Sequence, residues 1–271
     1  MSIKKQVVSK RVVTLIIVIA AVFFFFEGKI FLDAIYVPVI IMYHSVGKEG
    51  KILDGYGAKL NVSPAAFAKQ MKFLHDHSYN VVPLAEFIKR IKTDENIPPM
   101  TITITFDDGL KNNFLHAYPI LKKYNFPATI FVATDFVGKE KFLSWDDIKT
   151  MQENNISIGS HTVSHRWLPA LDEKSIHKEL YGSKKLLEEM TGREIKTLSY
   201  PLGAYNEKVK KIARKAGYIG AVATNPGRTE PKDDIFALKR IRISMTSDNL
   251  LVFLIETSGY YTFIKEIRDE D

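Results

Sequence analysis

Segments that favour β-strands alternate with segments that favour helices about seven times along this chain. The clearest strand, Met-Thr-Ile-Thr-Ile-Thr-Phe at residues 100–106, alternates in polarity with a period of two and is rich in β-branched residues. Regular alternation of strands and helices is typical of α/β domains built on a parallel sheet. The sequence therefore predicts an α/β fold whose sheet is a closed or nearly closed barrel.

The predicted elements follow one another without an internal repeat or a low-complexity linker. Strands are predicted at residues 37–43, 100–106, 128–133, 156–159, 197–200, 220–223 and 238–244. Helices are predicted at residues 64–75, 112–124, 145–153, 174–190, 207–216 and 248–256. Ser63 is the expected N-cap of the first helix, and Gly192 is expected to end the fourth. A single domain at residues 36–271 is the simplest division of the chain.

Residues 1–35 have the pattern of a membrane signal anchor. Four cations (Lys4, Lys5, Lys10 and Arg11) precede a block at residues 12–26 that carries no charge. A positive flank followed by an apolar block is typical of secretory signals and anchors. Bulky residues 23–26 stand where a cleavage site would need small ones, which favours an uncleaved anchor. We therefore expect a single-pass protein of the cell membrane with residues 36–271 outside the cytoplasm. Cleavage would instead give a secreted protein.

Composition excludes several kinds of site. The chain has no cysteine, so any metal ion must be held by His, Asp or Glu. The net charge is +7, but four of these charges precede residue 12 and no later Lys/Arg run is interleaved with aromatic residues. Nucleic acid is therefore not an expected partner, and nothing in the sequence implies an obligate protein partner.

Chemically capable residues follow four of the predicted strands. They are His44, the pair Asp107 and Asp108, the pair His161 and His165, and the run Tyr200, Pro201, Leu202 and Gly203. In α/β folds the functional residues lie at the carboxyl ends of the strands. Each group alone also has a structural explanation, since Asp-Asp-Gly is a good turn sequence and an i,i+4 His pair is common on surfaces.

Taken together, these residues match the needs of metal-assisted hydrolysis of an acyl bond. Two imidazoles and one carboxylate form a ligand set of catalytic zinc sites, which leaves a coordination position open. A second carboxylate that does not bind the metal can act as general base. Gly109 allows the backbone after the strand to turn, so that Asp107 and Asp108 both face one cavity. His44 can approach from another loop as general acid.

Two segments carry a resemblance to a known family. Thr105-Phe106-Asp107-Asp108-Gly109 and Ser160-His161-Thr162-Val163-Ser164-His165 resemble the first two signature motifs of the polysaccharide deacetylases (carbohydrate esterase family 4, the NodB-homology domain). The resemblance implies a distorted (β/α) barrel of about seven strands. It also implies that Asp107 is the catalytic base and that Asp108, His161 and His165 bind a divalent metal. That metal is usually zinc, with cobalt or nickel as alternatives.

The chain departs from the family pattern at two places. The third motif normally opens with an Arg that orients the base, but here the stretch begins Ser199-Tyr200-Pro201. The late His of the family is also missing, since no His follows His177. The segment Met42-Tyr43-His44 resembles the early motif of a permuted subgroup similar to poly-N-acetylglucosamine deacetylases, which makes His44 the expected acid. We expect Arg240 or Arg242 to replace the missing Arg, although a surface ion pair is the ordinary role of either.

The expected function is N-deacetylation of an extracellular polysaccharide that contains N-acetylglucosamine, such as poly-N-acetylglucosamine or peptidoglycan. A backbone N–H near Leu202 or Gly203 is expected to stabilise the oxyanion. Tyr43, Trp145, Trp167 and Tyr205 are candidate surfaces for sugar stacking, although such aromatic residues often serve packing. Two alternatives stay open: an O-acetyl esterase acting on a polysaccharide such as xylan, and a non-catalytic wall-binding protein on the same fold.

Overall fold

A computed structural model describes residues 37–47, 59–224 and 234–261. All of them belong to one compact unit, Val37–Asp271. The anchor predicted within residues 1–35 lies outside the described residues, so the anchor and the membrane localisation stay predictions. Within the three described ranges, no helix is both long enough and apolar enough to cross a membrane.

The strands form mainly one sheet. They are β1 (Val39–Tyr43), β2 (Ser45–Val46), β3 (Asn61–Val62), β4 (Asn80–Val81), β5 (Thr101–Phe106), β6 (Ala128–Val132), β7 (Ile156–Ser160), β8 (Thr197–Ser199), β9 (Gly220–Val222) and β10 (Ile241–Arg242). Seven of the described strands lie in the order β10-β1-β5-β6-β7-β8-β9, and each neighbouring pair is parallel. β4 pairs with the start of β5, and β2 pairs with β3 alone. The long sheet curls into a half-barrel.

Helices cover the outer face of the sheet. They are α1 (Pro64–Asp76), α2 (Leu84–Lys92), α3 (Tyr118–Lys123), α4 (Trp145–Gln152), α5 (Glu173–Thr191), α6 (Glu207–Lys215) and α7 (Leu250–Thr257). The Ser63 hydroxyl caps α1 by accepting from the Ala66 N–H, as predicted. Gly192 ends α5 in the left-handed conformation, also as predicted. On β5, Ile102, Ile104 and Phe106 pack into the main core, so the alternate threonines face the barrel interior.

Each predicted strand and helix has a counterpart, but two elements differ. The helix predicted at 112–124 begins as a π-helix, Asn113–Ala117, before α3. Pro119 has no N–H to donate to the carbonyl four residues back, so a regular α-helix cannot run through this point. The strand predicted at 238–244 is reduced to β10. Leu238 bridges to β9 while Ile241 pairs with β1, so this segment connects the two edges of the sheet rather than following one.

The sequence analysis missed β2, β3, β4 and α2. The three strands are only two residues long each, too short for a readable pattern. Helix α2, in contrast, has apolar residues at the spacing i, i+3, i+4 (Leu84, Phe87, Ile88), which is a helical pattern. These three residues join a second buried cluster with Ile40 and Phe131, apart from the main core.

Gly159 on β7 provides the space for the Phe131 ring inside the barrel. A Cβ at Gly159 would lie 2.4 Å from the Phe131 ring, and a strand glycine often marks such a close approach. We expect Gly159→Ala to lower the free energy of unfolding by about 1–3 kcal/mol, measured by urea titration, because the buried ring has to move. The same substitution in a Phe131→Leu background should cost less. Equal losses in both backgrounds would contradict this explanation.

Candidate active site

The predicted site residues meet at one edge of the sheet, where parallel strands end. His44 follows β1, Asp107 and Asp108 follow β5, and His161 follows β7 directly. Because all these strands are parallel, their carboxyl ends share one edge. The structure thus brings together side chains that are far apart in the sequence, and Arg240 bonds to Asp107 across 133 residues.

Asp107 forms a buried bidentate ion pair with Arg240. The guanidinium Nη1 donates to Asp107 Oδ1 at 2.7 Å, and Nη2 donates to Oδ2 at 2.6 Å. The Ser199 hydroxyl also donates to Oδ2, at 3.2 Å. Burial alone would raise the pKa of Asp107, but the charges of Arg240 and His161 and the Arg240 hydrogen bonds outweigh it and hold the pKa below its usual value. Asp107 is therefore a carboxylate at neutral pH.

Arg240 is itself held on every side. Its Nε donates to the Ala223 carbonyl at 3.0 Å, and its two terminal nitrogens donate to the hydroxyls of Thr105 (3.1 Å) and Ser199 (2.9 Å). Arg240 thus supplies the guanidinium that the third motif lacks, as one of the two predicted alternatives. The other, Arg242, is exposed, and Asp107 has its two oxygens paired with Arg240. The surface ion pair expected of an isolated Arg does not describe Arg240, which is fully buried.

Asp108, His161 and His165 form the one group in the described part of the chain with the composition and spacing of a metal site. The Nε2 atoms of both histidines lie 3.4 Å from Asp108 Oδ1. One ligand atom from each residue lies within 4.8 Å of the other two. Burial would raise the pKa of Asp108, but hydrogen bonds from the two histidines hold it far below its usual value.

The orientation of His161 fits metal binding. Its Nδ1 lies 2.8 Å from the Ser199 carbonyl oxygen, which can only accept, so Nδ1 donates its hydrogen there. Nε2 is therefore the nitrogen that faces Asp108 and that would bind a metal ion. A backbone carbonyl that fixes the far nitrogen in this way is typical of metal-binding histidines. Two such nitrogens and one carboxylate are a donor set that suits a divalent ion of the zinc type.

The loops that carry these residues contain several left-handed backbone conformations. Asp108 has φ of 70° and Gly109 of 66°, so the backbone turns directly after Asp107, at the glycine that the sequence analysis singled out. Thr162 (67°) and His165 (58°) are also left-handed. This conformation is strained for residues other than glycine, and strained positions concentrate at functional sites.

His44 lies close enough to Asp107, Asp108 and His161 to interact with their charges. Its Nδ1 is buried with no hydrogen-bond partner among the described residues, and its backbone carbonyl accepts from the Asn113 side chain at 2.9 Å. Burial lowers the pKa of His44, and this effect exceeds the opposing attraction of the Asp107 and Asp108 charges. An imidazole beside two carboxylates is a group that can take up and release a proton in this site.

The run from Tyr200 to Gly203 forms a 3₁₀ turn beyond β8. Tyr200 is fully buried and donates its hydroxyl hydrogen to the Phe236 carbonyl at 2.9 Å, and Pro201 is also buried, so neither side chain faces a substrate. The Gly203 N–H already donates to the Tyr200 carbonyl at 2.9 Å. Leu202 is exposed with φ of 58°, and its N–H has no acceptor among the described residues. Of the predicted oxyanion donors, the Leu202 N–H is the one that is uncommitted.

The four candidate stacking residues have different surroundings. Trp167 is 53% exposed and lies two residues after His165. Tyr43 is fully buried and donates to the Gln70 side chain at 2.8 Å, so it serves packing and not sugar binding. Tyr205 stacks on Tyr200 with ring centroids 5.2 Å apart, and Trp145 is half-buried against the core. Trp167 is thus the best exposed of the four.

Sequence reasoning missed the hydroxyls that support the ion pair. Ser199 and Thr105 lie within the motif segments, and the sequence analysis assigns them no function, but both hydroxyls accept hydrogen bonds from Arg240. Period-two alternation on β5 and β8 would have found them, because it places Thr105 on the same face as Asp107 and Ser199 inside the barrel.

Comparison with known proteins identifies the family. The model of the polysaccharide deacetylase family matches residues 94–221. A Bacillus subtilis protein whose name places it among the polysaccharide deacetylases is 37% identical over 205 residues, 76% of this chain and 71% of that protein. The poly-beta-1,6-N-acetyl-D-glucosamine N-deacetylase of Staphylococcus aureus is 30% identical over 198 residues, 68% of each. The chain belongs to the polysaccharide deacetylase family, whose members are hydrolases.

Solved structures agree with this assignment. A Streptococcus pyogenes deacetylase in complex with acetate aligns with a TM-score of 0.72 at 28% identity, over 80% of this chain and 98% of that one. A polysaccharide deacetylase from Bacillus cereus aligns with a TM-score of 0.67 at 32% identity, over 80% and 69%. IcaB from Ammonifex degensii shares the fold, with a TM-score of 0.71 at 22% identity over 83% and 97%.

The burial of the Asp107–Arg240 pair predicts that Arg240 contributes to stability as well as to the site. Arg240→Met should lower the free energy of unfolding by about 3–5 kcal/mol at neutral pH, because it leaves the Asp107 carboxylate buried without its partner. The matched control, Arg242→Met, changes an exposed Arg of the same segment and should cost no more than about 1 kcal/mol, the range of a surface ion pair. Both values come from urea unfolding followed by circular dichroism. Equal losses would show that the pair does not carry this energy.

Proposed function

We propose that this protein is a metal-dependent N-deacetylase that acts on an extracytoplasmic polysaccharide containing N-acetylglucosamine, such as poly-N-acetylglucosamine or peptidoglycan. The observation that supports this best is the division of labour between two adjacent carboxylates. Asp108 lies with two histidines, while both oxygens of Asp107 pair with Arg240. A binding protein would have no use for a second, separately oriented carboxylate, whereas hydrolysis needs a base that is not a ligand.

Asp108, His161 and His165 would hold the metal ion, with zinc the expected identity. A divalent ion bound there lowers the pKa of water and polarises a carbonyl oxygen. The chain's own residues supply the remaining chemistry. The His161 tautomer is fixed by the Ser199 carbonyl, which presents Nε2 toward Asp108 without any rearrangement.

Asp107 acts as the base. It accepts a proton from the attacking water while the water oxygen bonds to the acetamide carbon. Its low pKa keeps the carboxylate ionised and ready at neutral pH. We assign the stabilisation of the oxygen that becomes negative to the Leu202 N–H, which no other group in the described residues uses.

His44 completes the reaction as general acid. When the C–N bond breaks, the sugar nitrogen needs a proton, and the His44 imidazole, which lies near the charges of Asp107 and Asp108, would supply it. Acetate and a free amino sugar are the products. Burial makes the protonated form of His44 a stronger acid than an exposed imidazolium, which favours proton donation.

The substrate class rests on two lines of support. The Staphylococcus aureus relative is named for poly-beta-1,6-N-acetyl-D-glucosamine, and it covers 68% of this chain at 30% identity. The acid His44 comes from an early segment, as in the subgroup that the sequence resembles. Both favour poly-N-acetylglucosamine over other acetylated polymers, although peptidoglycan carries the same acetamide group.

Acetate release is the direct test. The full-length chain loaded with zinc should release acetate from N-acetylglucosamine oligomers, and a chelator should abolish this activity. Asp107→Asn should retain zinc, because Asp107 is not a ligand, and should lose about 10²–10⁴-fold in rate, because the base is gone. Retention of full activity by this variant would refute the base. Release from O-acetylated xylan alone would favour an esterase, and release from no substrate by a folded, zinc-loaded protein would favour a wall-binding protein.

The pH profile tests His44. Because the acid must be protonated, kcat should fall as pH rises through the pKa of His44 in the complex with substrate. A His44→Asn variant should lose about 10²–10⁴-fold in rate, and its remaining activity should not show the same alkaline fall. Oligomer deacetylation assayed from pH 5 to 9 measures both. An unchanged alkaline limb in the variant would assign the acid to another group.

A further inference from the structure

The loop that carries both histidines has no regular structure of its own. Residues 161–165 follow β7, and Thr162 and His165 within it adopt left-handed conformations, with φ of 67° and 58°. A loop of this kind does not keep such a shape by propensity, so neighbouring elements have to hold it.

Helix α5 holds this loop through Glu179. The buried Glu179 carboxylate accepts hydrogen bonds from the N–H groups of Val163 and Ser164, both at 2.9 Å. It also accepts one from the Ser164 hydroxyl at 2.5 Å. One carboxylate thus binds the middle of the loop, between the two histidines, with three donors.

The charge of Glu179 strengthens this attachment. Within the described ranges, no Lys, Arg or His forms an ion pair with Glu179, so the loop donors are what compensates its negative charge. Hydrogen bonds to an ionised acceptor are roughly twice as strong as neutral ones. A buried carboxylate that lost these donors would be left without compensation, which makes departure of the loop unfavourable.

Two further residues on the same face of α5 match the loop. Ser183 follows Glu179 by one helical turn, and its hydroxyl lies 2.9 Å from that of Ser160, which in turn accepts from the Thr162 N–H at 3.2 Å. Gly182 leaves room for the Val163 side chain, since a Cβ there would lie 3.3 Å from Val163 Cγ2. Positions i, i+3 and i+4 of a helix share one face, so α5 presents a single surface to the loop.

We propose that Glu179 is a positioning residue that holds the loop so that both imidazoles can bind one metal ion. The inference rests on the metal site of the proposed function. Glu179 does not touch the metal ligands' side chains, so it acts through the backbone of Val163 and Ser164. Removal of a residue that orients metal ligands costs about 10–100-fold in metal affinity, and we expect Glu179 to fall in that range.

Glu179→Gln is the decisive variant. It keeps the size of the side chain but loses the charge and one acceptor oxygen. We expect its zinc dissociation constant to rise about 10-fold or more, measured by competition with a chromogenic chelator. The visible spectrum of the cobalt-loaded protein should also change, because the ligand geometry changes. Ser164→Ala removes one of the three donors and should give a smaller change in the same direction.

Glu188→Gln is the matched control. Glu188 lies on the same helix, accepts from the Ile195 N–H at 2.9 Å and pairs with Lys184 at 2.8 Å, but has no contact with the loop. This control should lower the melting temperature while leaving zinc affinity and the cobalt spectrum unchanged. The proposal is overturned if Glu179→Gln behaves in the same way.

Two other results have separate meanings. If the wild-type protein binds no zinc, the metal site of the proposed function is wrong, and the role of Glu179 falls with it. If Glu179→Gln does not fold, Ser164→Ala decides by the same two measurements: weaker zinc binding and an altered cobalt spectrum support the proposal, and wild-type values overturn it.

Discussion

The ion pair between Arg240 and Asp107 is the interaction on which the site depends. Both side chains are buried, so each would be costly without the other. The pair also links parts of the chain that are far apart, because Arg240 contacts Asp107 and Thr105 around β5, Ser199 on β8 and the Ala223 carbonyl after β9. The segment that carries Arg240 bonds to both edges of the curled sheet. A single guanidinium therefore joins the edges of the half-barrel and fixes the Asp107 carboxylate.

The polar interior of the barrel explains how such a pair is accommodated. The Thr105 hydroxyl on β5 and the Ser199 hydroxyl on β8 accept hydrogen bonds from the Arg240 guanidinium, and the Ser199 hydroxyl also donates to the Asp107 carboxylate. Both charged groups therefore have hydrogen-bond partners besides each other. The outer face of the same strands is apolar and packs on the helices. Successive residues of a strand point to opposite faces of the sheet, so one face packs into the core and the other carries the polar side chains of the site.

Features that depend on local sequence patterns could be predicted, whereas features that depend on contacts between distant segments could not. The strands, most helices and the ligand set were predictable because they depend on local patterns: alternation on β5, a cap at Ser63, a glycine after two aspartates, two histidines four apart. The choice between Arg240 and Arg242 was not, because it depends on how an irregular segment crosses between two sheet edges. Glu179 was missed since nothing in the pattern of α5 distinguishes a buried carboxylate from the solvated ones beside it.

The departure at the third motif then has a physical meaning. A buried carboxylate such as Asp107 needs a positive charge beside it, whichever position in the sequence supplies that charge. Here Ser199 occupies the place where the family has its Arg, and its small side chain leaves room for Arg240 to enter from the other edge of the sheet. The two changes are complementary: a large side chain at Ser199 would exclude the guanidinium, and a small one at Arg240 would leave Asp107 unpaired. Ser199 and Arg240 therefore act as one unit. A sequence motif that covers only one of the two segments does not show that they depend on each other.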